Sequence, residues 1–156
     1  IIAQSWVRTE KNPLECVTDK CHLTGDYYKD LETQLKEPIE LYGKNNKIYI
    51  LGELPKPKDK TSIICLRSEI LTGVKQHCNS ISEPVAESKR VNKILKKLTS
   101  NYDNVVFIDL TGVFCNEKVC DYALNGKALF MPDGGHLSGY GSEIAWNYVV
   151  NHIKSN

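Results

Sequence analysis

The stretch NVVFIDL, residues 104–110, contains the apolar run VVFI, which has the length of a short buried β-strand. A similar run, IYILG at residues 48–52, is bounded by turn-forming residues, and IIAQSWV at residues 1–7 turns polar at its end. Strands covered on both faces of a parallel sheet have this near-continuous apolar character. The sequence therefore predicts three buried parallel strands.

Apolar residues recur at helical spacing in three segments that alternate with these runs. The first segment begins after Asp26 and is bent or ended by Pro38, the second begins near Pro84, and the third follows Ser138 as its N-cap. Residues 61–82 show no clear period. The predicted apolar faces consist of Tyr27, Leu31, Leu35 and Ile39; of Val85, Val91, Ile94, Leu95 and Leu98; and of Ile144, Ala145, Tyr148, Val149, His152 and Ile153.

The alternation of strands and helices predicts an α/β protein with a three-layer α/β/α arrangement around a parallel central sheet. The 156 residues suit one domain, with 41% hydrophobic and 25% charged residues as in ordinary globular proteins. The abrupt apolar start at Ile1 suggests the C-terminal portion of a longer domain. A net charge of +1 argues against a nucleic-acid partner, and no apolar run approaches the length of a membrane helix.

Six cysteines fall into three local groups, which favours disulfides between neighbours in sequence over free core thiols. Their spacing lacks the CxxC pattern of zinc ribbons, and we expect neither a metal nor another cofactor. Disulfides imply an oxidising compartment, such as the periplasm, the cell surface or a lumen. The expected pairs are Cys16 with Cys21, Cys65 with Cys78, and Cys115 with Cys120.

The stretch MPDGGHLSGYGSEIAW, residues 131–146, places Asp133 three residues before His136 in a Gly-rich turn that precedes a helix. In α/β folds such a loop leaves a strand at the edge of the sheet where ligands bind. An Asp at this spacing can hold one imidazole nitrogen, which leaves the other to accept a proton from a hydroxyl. The alternative is an Asx-turn beside a surface histidine without a catalytic role.

The extended pattern Asp133-Gly-Gly-His136-Leu-Ser-Gly-Tyr-Gly141 resembles the last conserved block of the SGNH (GDSL-type) hydrolases. It is most similar to the SGNH domains that partner membrane acyltransferases and O-acetylate bacterial surface polysaccharides. IIAQSW, KIYILGELPKP and VVFIDLTGVFC are similar to other parts of that group, so the resemblance spans nearly the whole chain.

The resemblance implies a flavodoxin-like SGNH fold and an esterase or O-acetyltransferase acting on acetyl esters of carbohydrate. It implies Asp133 and His136 as two members of a Ser-His-Asp triad. Trp6, at the end of a predicted strand, has two interpretations: a residue that lines the substrate crevice, or a residue of the core. The resemblance further implies an acyl donor or acetylated carbohydrate as ligand, a membrane acyltransferase domain as partner, and an extracytoplasmic location.

The family's Gly-Asp-Ser motif, which carries the nucleophile, is missing from this chain. Thr24-Gly25-Asp26 is followed by Tyr27 rather than Ser. We therefore expect the first strand of the fold and the nucleophilic serine to come from outside the chain. Ser5, at the end of a predicted strand, is the weaker alternative nucleophile. Two non-enzymatic alternatives are an SGNH-like module that binds a glycan or a protein, and a disulfide-stabilised structural domain.

Overall fold

The structure is a computed structural model that describes residues 24–56, 61–74, 81–82, 86–116 and 119–155. Close backbone contacts divide the chain into two compact units. Unit 1 comprises Ile1–Glu53 and Lys89–Asp109, and unit 2 comprises Leu54–Ser88 and Leu110–Asn156. No helix among the described ranges is both long and apolar enough to cross a membrane.

Unit 1 is built on a parallel pair of strands, β1 (Ile48–Leu51) and β3 (Val105–Ile108), which pair in register from Ile48 with Val105 to Leu51 with Ile108. This confirms two of the predicted strands and their parallel direction. Helices α1 (Tyr27–Tyr42) and α3 (Ala86–Thr99) supply the rest of the unit's core. The core consists of Leu31, Leu35, Ile39, Ile48, Ile50, Val91, Leu95, Leu98 and Val105.

Helix α1 begins at the N-cap Asp26, whose carboxylate accepts hydrogen bonds from the amides of Tyr28 and Lys29. Asp30 reaches back in turn to the amides of Thr24 and Gly25, at 2.7 and 2.9 Å. These contacts, the Thr24 amide first, lower the pKa of Asp30. Thr24-Gly25-Asp26 is therefore a helix start. The helix also continues four residues past Pro38, which does not end it.

Unit 2 has a core in which aromatic side chains meet edge to face or at a steep tilt. Phe130 lies between Phe114, at 5.4 Å between ring centroids, and Tyr122, at 5.0 Å. The Tyr122 hydroxyl donates to the carbonyl of Pro55 at 3.1 Å, and burial raises the pKa of this phenol. The unit's elements are α2 (Thr61–Thr72), β2 (Ile81–Ser82), α4 (Thr111–Phe114), β4 (Cys120–Asp121), β5 (Ala123–Leu124), β6 (Lys127–Ala128) and α5 (Gly139–Ser155).

Two features of unit 2 were not predicted from the sequence. Helix α2 occupies the segment without a clear period, and β5 and β6 form an antiparallel hairpin. The hairpin turns at Asn125 and Gly126, which both have positive φ, at 52° and 72°. The Asn-Gly pair is the usual sequence signal for such a turn.

Several expectations fall outside the described residues or are only partly met. The strand predicted at residues 1–7 lies outside them, so the three-layer arrangement and the single SGNH-like domain over residues 1–156 stay predictions. Cys115 and Cys120 form the expected disulfide, and Cys65 is also disulfide-bonded. The pairings predicted for Cys16, Cys21 and Cys78 cannot be followed, because these three cysteines lie outside the described part of the chain.

Candidate active site

The loop that carries Asp133 and His136 is closed by a short antiparallel pairing. Phe130 and Leu137 form a β-bridge, and the Met131 amide donates to the carbonyl of His136 at 2.7 Å. The Gly134 amide then donates to the carbonyl of Met131 at 2.9 Å, which makes residues 131–134 a hydrogen-bonded turn. Gly134 has a φ of 69°, a conformation that glycine adopts without strain.

Asp133 divides its carboxylate oxygens between the backbone and the imidazole. Oδ1 accepts from the amides of Gly135, at 2.7 Å, and His136, at 3.0 Å. Oδ2 lies 2.7 Å from His136 Nδ1. Hydrogen bonds from the imidazole and from these two amides lower the pKa of Asp133 from 3.8 to about 2. The carboxylate is therefore ionised at neutral pH, and it places the proton of a neutral imidazole on Nδ1.

The geometry leaves the second imidazole nitrogen accessible. The side chain of His136 is 82% exposed, and that of Asp133 is 53% exposed. With Nδ1 donating to the carboxylate, Nε2 is the acceptor that points away from this contact. An exposed pair of this kind contributes little to stability. Chemically, the pair presents an oriented base, because Nε2 of His136 can accept a proton from a hydroxyl.

Ser138 joins the site loop to the last helix. Its Oγ accepts from the Gly141 amide at 3.0 Å, which confirms the predicted N-cap of α5. The same hydroxyl donates to the carbonyl of Ala128 at 2.6 Å, and the Ser138 amide donates to the carbonyl of Leu129 at 2.9 Å. One serine therefore fixes the start of α5 against the strand that leads into the loop.

Gly141 allows α5 to pack closely against that strand. A Cβ atom at this position would overlap the carbonyl oxygen of Leu129. Any larger residue would therefore push the helix away from the backbone on which the loop depends. The requirement accounts for the glycine that follows His136 by five residues.

The other candidate residues do not lie in this loop. Trp6 and Ser5 lie outside the described residues. His152 is half-buried in the last turns of α5, with its ring centroid 4.4 Å from that of Tyr148. Within the described ranges, no group of three His, Cys, Asp or Glu side chains could hold a metal ion.

Sequence analysis missed Met131, whose backbone is hydrogen-bonded to that of His136 where the loop closes. The signal was present in the alternation of Phe130 with Met131 and of Leu137 with His136. In a strand, successive side chains point to opposite faces, so the residue next to a core residue faces away from the core. Without the pairing itself, this four-residue pattern could not be distinguished from an irregular loop.

Comparison with known proteins adds two matches. A family model described as an SGNH domain (fused to AT3 domains) matches residues 1–147. A solved structure, described as a platelet activating factor from Streptococcus pneumonia, is similar with a TM-score of 0.50 and 16% sequence identity. The match covers 81% of this chain, which spans 50% of that one. None of the curated proteins compared with the chain matches it.

Proposed function

Because the chain belongs to the family of SGNH domains fused to AT3 domains, we propose that it is an esterase or O-acetyltransferase acting on acetyl esters of carbohydrate. The observation that supports this proposal most directly is the contact of 2.7 Å between Asp133 Oδ2 and His136 Nδ1. It occurs in the motif that resembles the family's last conserved block. The similar solved structure supports the fold and nothing finer, because its identity is low.

In the proposed reaction, His136 is first the general base and then the general acid. Nε2 takes the proton of a serine hydroxyl as the serine oxygen bonds to the acyl carbon. The ester C–O bond then breaks, and the imidazolium returns the proton to the departing alcohol. Water or an acceptor hydroxyl attacks the acyl-enzyme in the same way, with its proton passing through Nε2. Asp133 holds the Nδ1 proton and stabilises the imidazolium.

The serine of this proposed triad comes from outside residues 1–156, because the chain contains no Gly-Asp-Ser motif. The exposure of the imidazole supports this assignment, because a second segment has room to approach Nε2. Trp6 is proposed to line the crevice that receives the carbohydrate.

The proposed setting is extracytoplasmic, next to a membrane acyltransferase domain. The family description supplies the AT3 partner domain, and the Cys115–Cys120 disulfide fits an oxidising compartment. In this arrangement the membrane domain delivers an acyl group, which the triad passes to a carbohydrate hydroxyl.

The test is the His136→Ala variant of the complete gene product that contains residues 1–156, assayed with a chromogenic acetyl ester. We expect turnover to fall by about 1,000-fold or more, because no other group replaces the oriented base. His152→Ala is the matched control and should retain activity within about threefold, since His152 packs on Tyr148 instead. Hydrolysis that persists unchanged in His136→Ala would reject the proposed role.

A non-catalytic module that binds a glycan or a protein is the second candidate, and a gene that encodes no Gly-Asp-Ser motif before Ile1 would favour it. Such a module would bind an acetylated glycan through the same exposed face without turning it over. The wild-type protein separates the two functions: saturable binding of an acetylated oligosaccharide without release of acetate would support the module. Release of acetate that depends on His136 would support the enzyme.

A further inference from the structure

Met131 lies directly opposite His136 in the pairing that frames the loop. The bridge joins Phe130 to Leu137, and the next pair toward the turn is Met131 with His136, joined by a backbone hydrogen bond of 2.7 Å. Side chains alternate between the two faces along paired strands, and directly opposite residues share a face. Phe130 faces the core with 1% exposure. Met131, at 45% exposure, and His136, at 82% side-chain exposure, are both open to solvent, as expected of neighbours that share the face opposite Phe130.

The backbone of Met131 is held on both sides, whereas its side chain remains open. Its amide donates to His136, and its carbonyl accepts from Gly134. Its side chain belongs to the exposed large hydrophobic residues, at 45% exposure. Directly opposite residues of an antiparallel pair have Cβ atoms about 5 Å apart. The backbone hydrogen bond between Met131 and His136 thus brings an exposed apolar residue next to the residue that carries the imidazole.

We propose that Met131 forms the apolar wall of the acyl site beside His136 and restricts the acyl group to short chains. This inference depends on the proposed function. In acyl transfer, Nε2 exchanges protons with the nucleophile, the leaving oxygen and the incoming hydroxyl, each of which bonds to the acyl carbon. The acyl group must therefore lie next to the imidazole, on the face that Met131 shares. An unbranched thioether offers an adaptable apolar contact there.

The first test compares kcat/KM for p-nitrophenyl acetate and p-nitrophenyl butyrate in the complete gene product. In Met131→Ala we expect the butyrate-to-acetate ratio to rise by as much as about 15-fold, because butyrate has two more methylene groups than acetate. Removing the side chain opens space for the longer chain, and each methylene group brought out of water contributes about fourfold. Met131→Leu, which conserves apolar volume, should keep the ratio within about twofold of wild type. A purely structural role would lower both rates in parallel and leave the ratio unchanged.

The second test measures whether Met131 lies close to the imidazole of His136, without relying on activity. Met131 is the one methionine of the 156-residue chain, so methyl-¹³C methionine labelling gives a resonance that Met131→Leu identifies by its loss. We expect His136→Ala to shift this resonance, because the imidazole ring current is removed from its surroundings. His152→Ala should leave the resonance in place.

The outcomes separate this inference from the proposed function. Turnover that needs His136, with a butyrate-to-acetate ratio unchanged in Met131→Ala, would overturn the role of Met131 and leave the esterase intact. A methyl resonance that does not respond to His136→Ala would overturn the inferred placement. A wild-type protein that hydrolyses neither ester would overturn both proposals.

Discussion

One carboxylate oxygen of Asp133 accepts hydrogen bonds from backbone amides, and the other contacts the imidazole of His136. The contacts of Oδ1 with the Gly135 and His136 amides keep the carboxylate from rotating, so Oδ2 remains aimed at Nδ1. Because the loop forms these contacts by itself, the orientation of His136 exists before any substrate binds. A positioned carboxylate makes two contributions to a catalytic histidine: it holds the imidazole in the correct tautomer and orientation, and it stabilises the imidazolium.

Asp133→Asn should preserve the loop and remove most of the activity. The amide oxygen of Asn can still accept from the backbone amides, but its –NH2 would face Nδ1 and favour the wrong imidazole tautomer. We expect kcat for acetyl ester hydrolysis to fall by about 1,000- to 10,000-fold. Stopped assays of the variant and of wild type measure the change. A loss smaller than about tenfold would contradict the proposed role of the carboxylate.

The pH dependence of stability in the same two proteins provides a control. Asp133 has a pKa of about 2 in the folded chain, below its ordinary 3.8. A lowered folded pKa stabilises the fold above the unfolded pKa, and this contribution disappears as pH falls toward the folded value. The urea midpoint of wild type relative to Asp133→Asn should therefore be highest above pH 4 and decline between pH 4 and 2. A difference independent of pH would show that the carboxylate is not held as described.

At the scale of elements, the start of α5 depends on a close approach that glycine alone permits. Gly141→Ala should destabilise the protein by about 1–3 kcal/mol, because the new Cβ meets the Leu129 carbonyl and the helix must shift. Gly139→Ala is the matched control. Its Cβ would meet nothing within 4 Å, so we expect a change within about 0.5 kcal/mol. Urea unfolding of both variants measures the difference, and equal stabilities would contradict this packing.

The elements that the sequence predicted are those with one clear apolar face. In α3, Val91, Leu95 and Leu98 are buried, as their spacing indicated. In α2 the periodicity fails, since Ile64 and Leu71 are exposed, and the helix could not be inferred from an apolar stripe. Pro38 was expected to bend or end α1, but the helix continues to Tyr42.

At the scale of the whole molecule, the Cys115–Cys120 disulfide closes a loop whose ends are five residues apart in sequence. Restricting a loop of this length in the unfolded chain stabilises the folded state by about 2 kcal/mol. Its position between α4 and β4, with Cys120 fully buried, fixes that loop to the core of unit 2. The disulfide therefore contributes to the stability of unit 2, which carries His136.

The double variant Cys115→Ala/Cys120→Ala should unfold about 2 kcal/mol more easily than wild type under oxidising conditions. Chemical denaturation without reductant measures this loss. With excess dithiothreitol the two proteins should become nearly equal, because wild type then lacks the same bond. A difference that persists unchanged in reductant would assign the effect to side-chain packing instead.

Short local patterns in the sequence predicted several features of the whole molecule. The family, the two parallel strands and the proximity of Asp133 to His136 follow from short stretches whose residues interact with near neighbours. The placement of Met131 and the closeness of α5 to Leu129 do not, because they depend on backbone pairing that no residue type encodes by itself. The third strand and the pairing of Cys65 involve residues outside the described part of the chain.

Ser138, with its contacts to Ala128, Leu129 and Gly141, has a consequence for how the chain can vary. In the described part of the chain, the hydrogen bonds that hold the loop and orient His136 lie within residues 128–141, so the geometry of the Asp133–His136 contact depends on a segment of fourteen residues. Replacing the equivalent segment of a distant homologue with residues 128–141 should therefore reproduce the orientation of the histidine.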